Sequence, residues 1–138
     1  MKNHKYRVVT LIAVITMFTI SMYADTVAYS KIIEQRDAIL SKILTEQQKK
    51  FEVGKTDDES VFSAQIALYS FRRDTNTKIS EKIKNQELIL AIYEKKFDNV
   101  KNKFEHGLVG EMDKLKANDA LLQENQILEE LKLNKKNG

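Results

Sequence analysis

The sequence contains no cysteine, no proline and no tryptophan, and only four glycines among 138 residues. Without cysteine there is neither a disulfide framework nor a thiolate to hold a metal or attack a substrate. Without proline, and with glycine this scarce, little interrupts a helix. Three of the glycines, Gly54, Gly107 and Gly110, fall at two places, and the fourth is Gly138. The two histidines, His4 and His106, lie in separate segments and offer no imidazole pair for a metal. No glycine-rich phosphate loop and no nucleophile–base–orienter set is present. The expectation is a non-enzyme with no catalytic residue, no metal and no cofactor, of at most one ordinary domain.

What the sequence does contain is a repeat. Phe51-Glu52-Val53-Gly54, followed by Ala64, Ala67 and Leu68, returns 53 positions later as Phe104-Glu105-His106-Gly107, followed by Ala117, Ala120 and Leu121. Upstream, Glu34, Ala38, Ile39 and Lys42 correspond to Glu87, Ala91, Ile92 and Lys95. A repeat of this length is one supersecondary unit used twice. Each copy reads as a helix ending in basic residues, a glycine, an acidic restart and a second helix. The fold class is therefore all-α: long antiparallel helical hairpins with coiled-coil packing, in two tandem helix–turn–helix repeats of about residues 31–78 and 79–134.

Residues 1–24 read as a signal peptide. Lys2, Lys5 and Arg7 precede a mostly apolar run from Val8 to Ile20, short for a membrane-spanning helix. Cleavage after Ala24 is the first choice, and Ala28 and Ser30 are tolerable; an uncleaved N-terminal anchor is the alternative. Residues 25–138 would then form the helical domain. The leader holds three of the 23 basic residues and none of the 20 acidic ones, so the remainder carries no net charge. A neutral chain lacks the basic surface on which nucleic-acid affinity rests, and the lysine clusters read as solvated helix faces.

Along the chain, a first helix of roughly 30–53 carries two adjacent apolar stripes through Ile32/Ile33, Ile39/Leu40, Ile43/Leu44 and Phe51. These exceed what one partner covers and predict a homo-oligomer. A second helix starts near Asp57. The third shows a 4-3-4-3 seam of Ile79, Ile83, Gln86, Leu90, Tyr93, Phe97, Val100 and Phe104, with Gln86 its one polar member. Tyr93, Phe97, Phe104 and Phe71 are expected in the core. A fourth helix runs from Glu111 to about Lys132. Phe62 to Leu68 also alternates like a strand, but its counterpart Leu115 to Leu121 does not. Residues 58–106 are either one unbroken helix or two, bent at Asp74-Thr75-Asn76-Thr77, four poor helix formers.

The turns carry the most local information. Gly54 and Gly107 suit the left-handed position just past a helix end, with Lys49/Lys50 and Lys101/Lys103/His106 complementing the dipole. Thr56 reads as an N-cap with Glu59 reaching back to it, which accounts for the Asp57-Asp58-Glu59 cluster without a cation. In the second copy Gly110 or Val109 takes the cap position, with Glu111 and Asp113 in the first turn.

At these residues the chain resembles the outer-membrane efflux protein family typified by TolC. That family repeats an aromatic-x-x-Gly turn, a short linker, an acidic residue and an apolar-x-Ala helix start. Phe104-x-x-Gly107-Leu108, then Asp113-x-Leu115-x-Ala117, fits it closely. Phe51-x-x-Gly54-Lys55-Thr56, then Ser60-Val61-x-x-Ala64, fits with serine in place of aspartate. The resemblance covers about residues 31–133. It implies a trimeric periplasmic tunnel tip that docks adaptor proteins, with Gly54, Lys55, Thr56, Asp57, Gly107, Leu108, Val109 and Gly110 as the partner-binding turns, in the periplasm or outer membrane of a Gram-negative-type cell. Family members insert membrane β-strands between their two tip motifs, and the 53 residues here leave room for two helices alone. Two other readings stand beside it: an exported coiled-coil adhesin or structural surface protein of the FadA type, and a periplasmic holdase resembling Skp, against which the neutral charge weighs.

Overall fold

A computed structural model describes the backbone of residues 2–137 and the side-chain surroundings of residues 27–137. The described residues form four helices and no strand: α1 Lys2–Glu52, α2 Asp58–Thr75, α3 Ile79–Glu105 and α4 Glu111–Asn137. The strand alternative at Phe62 to Leu68 is thus helical. The side chains that carry the signal-peptide reading of residues 1–24 lie outside the described residues. Instead of starting near Ser30, α1 continues back to Lys2, in keeping with a stretch that contains neither proline nor glycine.

Contacts divide the chain into residues 1–36 and residues 37–138. In the first unit Val27, Tyr29 and Ile32 are exposed. The second unit holds the hairpins. The end of α1 packs on α2 through Leu44, Ala64 and Leu68, with Leu40, Val61 and Tyr69 around them. Across this pair the Arg72 guanidinium donates to both carboxylate oxygens of Asp37 (2.6 and 2.8 Å) and to Ser41 Oγ (3.1 Å).

The chain reverses at residues 76–78, so 58–106 is two helices and not one. Thr75 donates its hydroxyl to the Phe71 carbonyl, and Asn76, extended at φ −75°, accepts the Lys78 N–H on its side chain. These short polar side chains compete for backbone groups and so end α2. α2 and α3 run antiparallel. Glu59, at the start of α2, accepts from Lys96 far along α3, while Arg73, near the end of α2, donates to Gln86 near the start of α3.

α3 packs against both α2 and α4. Its deepest residues are Asn85, Gln86, Ile89 and Ile92. This corrects the seam reading: Tyr93, Phe97 and Phe104 are half-buried, whereas Phe71 is buried as expected. A heptad describes contact with one partner, and α3 has two, so its best-covered line lies between the two contact faces. Gln86 is fully enclosed. Its Oε1 accepts from Arg73 at 2.6 Å and its Nε2 donates to the Glu124 carbonyl and carboxylate, both at 2.8 Å. Among the described residues no buried side-chain polar atom lacks a partner, which makes one enclosed amide tolerable.

Candidate functional site: the two glycine turns

Both glycines are left-handed, Gly54 at φ 69° and Gly107 at φ 70°. Each sits in the same closing motif. Lys55 N donates to Lys50 O (2.7 Å) and Gly54 N to Phe51 O (2.9 Å); Leu108 N donates to Lys103 O (2.8 Å) and Gly107 N to Phe104 O (2.9 Å). This is the paired six-to-one and five-to-two pattern that satisfies the last carbonyls of a helix. His106 Nδ1 adds a bond to the Asn102 carbonyl at 2.7 Å.

The restarts differ in a reciprocal way. In the first copy Asp57, not Thr56, is the N-cap: its Oδ1 accepts from Ser60 N (3.0 Å) and Ser60 Oγ (2.7 Å). Those bonds, with the hydroxyl contributing most, hold the Asp57 carboxyl below its ordinary value. In the second copy Gly110 takes the cap position, and the Asp113 carboxylate three residues on accepts from the Gly110 N–H at 3.1 Å. Asp57 and Gly110 are repeat counterparts, as are Ser60 and Asp113. The carboxylate has moved from one side of the cap to the other. Glu59 does not reach back; it is engaged by Lys96 at 2.5 Å.

Since α2 and α3 are antiparallel neighbours, both turns lie at the same end of the second unit. α3 has 27 residues against 18 in α2, and the difference carries the Gly107 turn roughly 13 Å further out at the helical rise. Of the residues singled out in sequence, Gly54, Lys55, Asp57, Gly107, Leu108 and Gly110 are exposed, and Thr56 and Val109 are half-buried. Among the described residues Leu108 is the most open large apolar side chain, at 73%. Phe51 and Val53 are exposed beside the first turn and belong with this surface. Both are legible as apolar residues flanking a glycine, but the periodicity assigns Phe51 to the helix stripe.

An all-α chain of two stacked hairpins, with matched turns presented at one end, is the class that fold and site define. Compared with protein-family models, curated proteins and solved structures, the chain matches none of them. Among the described residues no helix is long and apolar enough to cross a membrane.

Proposed function

We propose that this chain is an exported helical component that works by presenting its two glycine turns to a protein partner, without catalysis. The helices are the support and the turns the contact surface. The observation that carries this reading is the duplication itself: two turns with the same closing motif face the same way, with Leu108, Phe51 and Val53 open to solvent. Combined with the turn sequences, it favours the manner of an efflux or secretion duct, in which a periplasmic adaptor docks on the tunnel tip of a homo-oligomer at the outer membrane.

Leu108→Glu tests this without disturbing the fold, because Leu108 packs on little. The variant should retain native helicity and export, yet fail to restore resistance to toxic compounds in cells lacking the native chain, and fail to retain an adaptor. Full activity of the variant would refute turn docking. A second reading, a self-assembling surface or adhesin protein, is favoured by the apolar residues exposed on α1 and α4. Loss of attachment to host cells on changing the α4 surface, with turn variants fully active, would replace the first reading by this one.

A further inference from the structure

Four exposed apolar residues of the outer helices, shifted by one repeat, correspond to positions on or beside the contact between the inner helices. On α4, Met112 and Leu115 correspond to Glu59 and Phe62 of α2. Glu59 touches α3 through Lys96, and Phe62 lies one turn on towards Arg73, which touches α3 through Gln86. On α1, Ile39 and Ile43 correspond to Ile92 and Lys96 of α3, the first buried and the second bonded to Glu59. Met112, Leu115, Ile39 and Ile43 are 62%, 54%, 60% and 45% exposed. Each outer helix therefore leaves open residues that correspond to those by which the two hairpins hold one another.

We propose that a second copy of this chain covers these faces, α4 of one molecule packing on α1 of the next as α2 packs on α3. The stack of hairpins simply continues from molecule to molecule. Antiparallel pairing sets Met112 opposite Ile43, where the internal contact has Glu59 bonded to Lys96, and brings Leu115 and Ile39, each about one turn further along its helix, towards one another. The internal ion pair is exchanged for an apolar pair, as suits a contact made after folding. The contact is head-to-tail, joining two different faces, so it closes into a ring or runs on as a filament. It rests on the repeat and the exposed faces, and stands whether or not the turns bind an adaptor.

The pairing is open to a charge test. The full chain, in density-matched non-ionic detergent, is followed by sedimentation velocity at micromolar concentration, with circular dichroism monitoring helicity. The native chain should assemble. Met112→Glu and Ile43→Lys should each weaken assembly roughly tenfold or more, since each sets a lone charge against an apolar surface. An equimolar mixture of the two variants should reassemble into open chains or even-numbered rings, in which alternation makes every α4–α1 contact either Glu–Lys or Met–Ile. A contact of like with like would not be rescued by mixing. A monomeric native chain, single variants that assemble as the native does, or a mixture that stays dissociated would each overturn the proposal.

Discussion

At the scale of single residues, Gly54 and Gly107 do the most, and they do it through the backbone. A methyl group placed on either would meet nothing within 4 Å, so a substitution there costs conformation and not space. Gly54→Ala and Gly107→Ala should each lower stability by about 1 kcal/mol, and their asparagine counterparts by less, since asparagine tolerates the left-handed region. Urea denaturation measures the difference; equal losses for alanine and asparagine would point to a cause other than φ. The glycine positions were legible because only this geometry needs glycine after a basic helix end. The capping-box spacing points to Thr56, one residue before the actual cap Asp57, because threonine and aspartate are both N-cap residues and stand side by side here. Ser60, whose hydroxyl also bonds Asp57, tips the choice.

At the scale of helices, each hairpin is held together by its own polar contact, at non-equivalent positions of the repeat. In the first, Arg72 grips Asp37; in the second, Gln86 joins Glu124 and ties both to Arg73. The Arg72 hydrogen bond, with some help from its charge and from Ser41, holds the Asp37 carboxyl below its usual value, and Asp37 in turn raises Arg72. A carboxyl depressed by folding stabilises the fold fully above the unfolded aspartate range, near about 3.9, and that contribution fades as pH falls through and below it. Thermal unfolding should thus be flat above that range and decline on acidification. Asp37→Asn should lose of order 1 kcal/mol or less at neutral pH, the pair being partly exposed, and should flatten part of the acid decline. An acid profile identical to the native one would remove Asp37 from this role. None of these partners was legible in sequence: Gln86 stood out as a polar residue in an apolar seam, but its neighbours are fixed only once the chain bends at residues 76–78.

At the scale of the molecule, one hairpin written twice explains the all-helical fold, the shared direction of the turns and the exposed outer faces. The sequence pattern left the bend open, because the four residues Asp74 to Thr77 are poor helix formers while the four-residue spacing of Phe71, Thr75, Ile79 and Ile83 allows a stutter in a continuous helix. The polar side chains won by bonding their own backbone. The paired apolar stripes of α1 were legible and their division was not: Leu40 and Leu44 pack on α2, while Ile39 and Ile43 stay open. Everything proposed about function depends on the two turns facing the same way. The distance between spin labels at Thr56 and Val109, measured by pulsed electron resonance on the full chain, tests this most directly. Two adjacent antiparallel helices lie 8–10 Å apart, so with the offset of the turns and the label arms the distance should fall below about 30 Å. A distance of about 70 Å, as one unbroken helix over residues 58–106 would give at the helical rise, would contradict it.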